Sequence, residues 1–418
     1  MPNKSFSVYL GSPLNQPRGS KASEFLWIRM SSNVTVIVPT FNRAKYLPAC
    51  LESLLAQSDA ADRIIVVDDG STDGTAGILK TFRDRIECVR QDNQGKAAAL
   101  NRAMPMVESE YVWVFDDDDV ALPDAITLHL NALEGSGHGF SYASYQRATT
   151  NEDGSLQPGP VRRAESYDDR ALFIDLLEEN LLPQPSIIVR NECYKRLGPF
   201  DERLVRSQDY DMLLRLSRSY TAVAVAGITY YYRLHDGARG SGNDNFAFSA
   251  VNDKWIKYDQ IIFDGLYEKL ALWEYLPEVS TEHTLTPQQR QRALIKRFSV
   301  MMRYCLWDSA VADLTDLLRE SLADASLSDG ERQILHRIFE NRALLMFRWG
   351  YDGSRIRKEL RGGNRKLADQ IRVELSKSLY YELNRDLAGG NRRDALRIAA
   401  RLVPLLGVRG LLAASSAK

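Results

Sequence analysis

Four short strand-like runs, three of them largely apolar, each parted from the next by a segment of helical spacing, set the tightest limit on what this chain can fold into. Val34-Thr-Val-Ile-Val38 is a β-branched run closed by Pro39, followed by Arg63-Ile-Ile-Val-Val67, Ile86–Arg90 and Tyr111-Val-Trp-Val-Phe115. Unbroken apolar runs of this length read as strands covered on both faces. Between them, Ala44–Gln57 places Leu47, Leu51, Leu54 and Leu55 on one helical face, and Thr75–Phe82 and Lys96–Val107 are helical in turn. Strands alternating with helices need right-handed crossovers and hence parallel pairing. The expected class is α/β.

Farther along, Ser144–Asp168 contains Gly, Pro and Ser and reads as a long loop, and Leu172–Leu182 as a helix. Ser186–Val189 is a strand, Glu192–Leu197 a short helix and Gly198-Pro-Phe-Asp201 a turn. Asp209–Ser217 is helical, and Tyr220–Arg233 reads as two short strands turned at Gly227. Beyond about residue 250 the strand patterns vanish, and Leu, Arg and Glu recur at helical spacing to Leu412 with no fixed-period repeat. A length of 418 residues suits two or three domains. The expected organisation is a polar leader over 1–30, an α/β domain over 31–250 and a helical region over 251–418. The leader lacks the apolar core of a signal peptide, and Met30 is an alternative start.

Composition then excludes several classes. An apolar fraction of 44% with 26% charged residues is that of a soluble globular chain. No apolar run is long enough to span a membrane as a helix. Cys50, Cys88, Cys193 and Cys305 form no CxxC pair and read as buried thiols in a reducing compartment, which places the chain in the cytoplasm. The net charge of −1 argues against nucleic acid as a partner. That charge is uneven: residues 350–418 hold 15 Lys+Arg against 7 Asp+Glu, a net +8, which leaves −9 on the first 349.

In sheets of this kind ligands bind at the carboxyl ends of the strands. The loops after the first, second and fourth strands should therefore share one crevice. The fourth strand runs into Asp116-Asp117-Asp118-Asp119. Adjacent carboxylates repel one another, so either the run is a solvated acidic turn or something positive offsets it; hard Mg²⁺ or Mn²⁺ shared with a phosphate fits. Asp68-Asp69-Gly70-Ser71 is either turn punctuation or a contact to a nucleotide's ribose or base. Gln94-Gly95-Lys96 opens a helix whose N-terminus suits a diphosphate, without the spacing of a Walker loop. Asp209 is either a first-turn helix acid or a general base for a hydroxyl. His235 is either a surface imidazole or a metal or phosphate contact. His129, His138, His283 and His336 share no ligand spacing.

Taken together, Val36-Ile-Val-Pro-Thr-Phe-Asn-Arg43, Val67-Asp-Asp-Gly-Ser-Thr-Asp73, Asn93-Gln-Gly-Lys96 with Ala99-Leu-Asn101, Phe115-Asp-Asp-Asp-Asp119, Leu197-Gly-Pro-Phe-Asp201 and Gln208-Asp-Tyr-Asp211 resemble the inverting family 2 glycosyltransferases of GT-A fold. The resemblance spans about residues 33–240 and leaves 250–418 uncovered. It implies a Rossmann-like, mostly parallel sheet flanked by helices, followed here by the all-α C-terminal region. It implies a nucleotide-diphospho-sugar donor held by Pro39, Thr40, Phe41, Asn42 and Asp69, with Lys96, Asp116 and Asp117 beside it. Asp116 and Asp118 resemble the aspartates of the DxD motif; Asp118, Asp119 and His235 are the expected ligands of Mg²⁺ or Mn²⁺. Asp209 resembles the catalytic base. The family reads Glu-Asp where this chain has Gln208-Asp209, and Asp211 is the second candidate.

The implied reaction is metal-dependent, inverting transfer of a hexosyl or deoxyhexosyl group to the hydroxyl of a saccharide, lipid-linked or protein acceptor, in bacterial-type surface polysaccharide or glycoconjugate synthesis. The competing expectation is a non-catalytic nucleotide-sugar-binding scaffold acting through its helical region. A nucleotidyltransferase is disfavoured, because Pro39-Thr-Phe-Asn-Arg43 stands where that class carries a Gly-rich activation loop. Arg392–Leu412 interleaves arginines with Leu, Ile, Val and Ala. It reads either as an amphipathic helix on the inner face of an anionic membrane, or as a helix packed on the catalytic core or on a second copy of the chain.

Overall fold

The computed structural model describes residues 32–168, 170–235, 251–279 (side chains from 255) and 284–400. Nine strands make one sheet: β1 (Val34–Thr40), β2 (Arg63–Asp68), β3 (Glu87–Arg90), β4 (Tyr111–Val114), β5 (Val120–Ala121), β6 (Phe140–Thr150), β7 (Leu156–Arg162), β8 (Ile187–Arg190) and β9 (Ala222–Leu234). Their order is β3-β2-β1-β4-β8-β6-β9-β5, with β7 added to β6. The β3-β2-β1-β4 half is parallel, as the alternation of runs and helices requires. β8 then enters antiparallel to both β4 and β6, so the completed sheet is mixed.

Both faces of β1, β2 and β4 are covered, while the edge strand β3 is largely exposed. Val34, Val36, Val38, Ile64, Val66, Trp113 and Phe115 point to one face, and Ile37, Ile65, Val67, Val112 and Val114 to the other. Helices α1 (Leu47–Leu55), α2 (Thr75–Phe82) and α4 (Ala125–Leu133) bury the first face; α3 (Lys96–Ala103), α5 (Ala171–Leu176), α6 (Asn191–Leu197) and α7 (Gln208–Ser219) bury the second. The chain then continues as α8 (Val251–Lys269), α9 (Pro287–Arg303), α10 (Trp307–Glu320), α11 (Asp329–His336), α12 (Ala343–Arg348), α13 (Gly353–Glu359) and α14 (Arg365–Ala388). The apolar residues of the second sheet face and of these helices form one continuous core.

Three expectations change. Ser144–Asp168 is largely a hairpin of β6 and β7, not a loop. Its Pro158 and Gly159 are tolerated because β7 is an edge strand and the register shifts between Gln146 and Ala148. Tyr220–Arg233 is one strand, and Gly227 (φ 127°) marks a bulge where the pairing with β6 slips. Three cysteines are buried, but Cys88 on β3 is exposed. Residues 392–400 are helical; the rest of the Arg392–Leu412 segment, the leader and His283 lie outside the described residues. Among the described residues no helix is long and apolar enough to cross a membrane.

Candidate active site

The carboxyl ends of β1, β2 and β4 meet in a cleft of about 180 Å³ lined by Pro39, Thr40, Phe41, Asp69, Lys96 and Asp116 to Asp119. Asn42 stands behind this wall: with φ 54°, it offers Oδ1 to the backbone N–H groups of Thr72 and Asp73 at 2.8 and 3.3 Å. It therefore ties the loop after β1 to the loop after β2. The second loop is built by its own acids. Asp68 accepts from the Ser71 N–H at 2.8 Å and pairs with Arg90. Asp69, 3% exposed, accepts from Gln91 Nε2 and from the N–H groups of Gln94 and Gly95, each at 2.8 Å. Asp69 thus shapes the turn that presents Lys96 while it floors the cleft.

Gly70 makes this turn possible. Its φ is +79°, and a Cβ there would stand 2.8 Å from the Asn93 nitrogen. Gly70→Ala is expected to destabilise the fold by about 1–3 kcal/mol. An unchanged urea midpoint would contradict that close approach.

The four consecutive aspartates have separate partners, so much of the expected repulsion is relieved by the chain itself. Asp116 accepts from Lys96 Nζ at 2.5 Å. Asp117 lies 3.5 Å from Arg43 Nε, which is also 3.8 Å from Asp118. Asp118 Oδ2 lies 2.8 Å from His235 Nε2, and the His235 ring stacks on Tyr46 at 4.5 Å. Asp119, 2% exposed, accepts from the Arg233 N–H at 2.8 Å and so braces β9 against the acidic loop. Burial, and then the charge of Asp118, push the Asp117 carboxyl up to about 7, although Arg43 and Thr40 pull it down. Burial alone would lower Lys96, but Asp116 and Asp209 outweigh it and hold the ammonium above its usual range.

Among the described residues no group of three or more His, Cys, Asp or Glu side chains converges on one ion position. Of the expected trio, Asp119 gives Oδ1 to the Arg233 N–H. Asp118 and His235 do stand together, one carboxylate oxygen beside one imidazole nitrogen. That donor pair suits a hard cation that takes its remaining ligands from a diphosphate and water.

A second and larger cleft, of about 1190 Å³, adjoins the first and shares Lys96 and Asp116 with it. Asp209 lines it from the first turn of α7. Burial raises the Asp209 carboxyl above its usual range; Lys96 pulls it down and Asp116 pushes it up. Asp211, the second candidate, pairs with Arg215 at 2.8 Å, and Arg215 also donates to the Leu197 and Pro199 carbonyls. Asn101 exchanges hydrogen bonds with the backbone of Phe200 at 3.0 and 2.8 Å. The motifs around residues 101, 200 and 211 therefore hold α7 in place rather than face the cleft.

Sequence reasoning gave no role to Arg43, which sits between Asp117 and Asp118, or to Tyr46 beneath His235; their only signal is their place directly after β1. It also missed the helical region's share. Ser207, in a left-handed conformation (φ 61°) at the start of α7, donates to Asp259 of α8 at 2.7 Å. Tyr210 and Tyr304 join α7 to α9 through their hydroxyls at 2.7 Å.

Residues 35–197 match the model of the family described as glycosyl transferase family 2. The chain is 28% identical over 254 residues to an uncharacterized glycosyltransferase of Rickettsia typhi, covering 60% of this chain and 76% of that one. It is 38% identical over 110 residues to the glycosyltransferase GlyG of Streptococcus pneumoniae, covering 25% and 36%. Across rickettsial relatives the match spans from 31% to 76% of their own length. The crystal structure of Staphylococcus aureus TarS 1–349 in complex with UDP-GlcNAc aligns with a TM-score of 0.48 and 16% identity, covering 82% of this chain and 90% of that one.

Proposed function

Because the chain belongs, through residues 35–197, to glycosyl transferase family 2, we propose that it transfers a hexosyl or deoxyhexosyl group from a nucleotide-diphospho-sugar to an acceptor hydroxyl, by single displacement with inversion, in surface polysaccharide or glycoconjugate synthesis. The observation that carries this is the junction of two clefts at Lys96 and Asp116, with a base of raised pKa in the larger one.

The smaller cleft takes the nucleotide diphosphate between Pro39–Phe41, Asp69 and Lys96. The larger one takes the acceptor. Asp209 removes the acceptor's hydroxyl proton as its oxygen bonds to the anomeric carbon, and the diphosphate leaves with the electrons of the bond that breaks. Lys96, kept cationic by Asp116 and Asp209, faces the charge that develops on the leaving group. Asp118 and His235 would hold Mg²⁺ or Mn²⁺, which supplies further neutralisation of that charge when bound. Arg43 holds Asp117 and Asp118 in place.

Incubation with a chelator is expected to abolish release of nucleoside diphosphate from the donor, and Mn²⁺ or Mg²⁺ to restore it. Asp118→Ala is expected to need a higher metal concentration for half-maximal activity. Full activity in chelator would remove Asp118 and His235 from this role.

A further inference from the structure

Past Asp209 the larger cleft continues along one face of three neighbouring strands. Tyr145 and Arg147 alternate onto that face of β6; Arg162 of β7 pairs with Tyr145, and Tyr232 of β9 pairs with Arg147. All four line the cleft, together with Arg163 and with Arg342 from the helical region. The Tyr145 and Tyr232 rings lie 5.7 Å apart and leave a partly exposed aromatic floor.

The charge of this wall is unbalanced. Among the described residues Arg147, Arg162, Arg163 and Arg342 have no carboxylate within ion-pair distance, and Arg147 Nε is buried without a hydrogen-bond acceptor. Arg342, on the helical side, donates to the Arg303 carbonyl, lies over the face of Tyr304 and feels the charges of Asp259 and Glu179. The cleft's acids lie away from the hairpin: Asp116 is paired with Lys96, Asp259 accepts from Ser207, Glu179 is on the helical side and Asp209 is the base. The three guanidinium groups of the hairpin, Arg147, Arg162 and Arg163, offer forked N–H donors that match carboxylate or phosphate. A neutral acceptor would leave them unanswered.

We propose that this face is the acceptor subsite for an anionic saccharide, whose phosphate or carboxylate groups pair with Arg147 and Arg162 while its sugar rings lie against Tyr145 and Tyr232. The proposal rests on the reading of Asp209 as the base that receives the acceptor's hydroxyl.

Fluorescence anisotropy on the full chain tests it with three labelled probes of equal length: an oligogalacturonate, a glycerol phosphate oligomer and a neutral maltooligosaccharide. At least one anionic probe is expected to bind about tenfold or more tighter than the neutral one, and Arg147→Gln/Arg162→Gln to lose that advantage by about tenfold or more. Which anionic probe wins distinguishes carboxylate from phosphate. Thermal shifts with UDP and GDP in Mn²⁺ should be unchanged in this variant. Equal binding of neutral and anionic probes, binding of neither anionic probe, or a loss no greater than in the distant exposed control Lys358→Gln/Arg361→Gln overturns the proposal. Binding of an anionic probe without any nucleoside diphosphate shift would instead overturn the donor reading and leave the anion subsite standing.

Discussion

Asp209→Asn is expected to lower transfer by about 10²-fold or more while nucleotide-sugar affinity stays within about twofold, the size usual for loss of a general base. The substitution keeps the shape of the side chain and its place in the first turn of α7 but removes the capacity to accept a proton. Asp209 lies outside the smaller cleft, so donor binding is spared. The environment also sets a pH signature. Burial raises the wild-type carboxyl, so protonation silences the base at a pH above the ordinary aspartate value of about 3.9. The acid limb of kcat should therefore lie above that value in the wild type and be absent from the variant's residual rate. Near-normal turnover in Asp209→Asn would remove it from the role and leave Asp211, paired with Arg215, as the second candidate.

The second large effect concerns the helical region. Lys296 of α9 pairs with Glu178, and both are buried; Arg337 stands 3.5 Å from the same carboxylate. Burial opposes both charges. Lys296 and Arg337 nevertheless hold Glu178 below its usual range, while burial wins at Lys296 and lowers it. Lys296→Met removes the closest partner of a buried carboxylate and leaves it the half-exposed Arg337 and the weaker field of Arg303, and is expected to cost about 3–5 kcal/mol. Lys296→Met/Glu178→Met should recover much of the loss, since a well-packed apolar pair often equals a buried ion pair. Chemical denaturation of both variants checks this; a single variant as stable as the wild type would show that the pair is not needed. Activity should fall with stability, because the Glu178 carbonyl accepts from Tyr304, whose hydroxyl meets Tyr210 next to Asp209.

Much of the parallel half of the sheet was legible, because β1, β2 and β4 are buried on both faces and so appear as nearly unbroken apolar runs. The convergence of Thr40, Asp69 and Asp116 at one crevice followed from that topology alone. The hairpin of β6 and β7 was not legible: an edge strand carrying Pro158 and Gly159 has the composition of a loop. The bulge at Gly227 reads as a turn for the same local reason. The acidic run was placed at the strand end, but its electrostatics were not legible, because Arg43, Lys96 and the end of β9 with Arg233 and His235 reach it from three separate parts of the chain. Asp259, Tyr304 and Arg342 carry no local signal at all. They matter only because the helical region packs its core continuously onto the sheet.

The most direct measurement is release of free nucleoside diphosphate from a panel of nucleotide-sugars by the full chain with Mn²⁺ and anionic or neutral acceptor oligomers. The enzyme reading predicts that at least one donor is turned over, that an acceptor accelerates it, and that Asp209→Asn abolishes the acceleration. Tight, metal-dependent binding of a nucleotide-sugar with no release under any of these conditions would contradict it and leave a binding protein that acts through its helices.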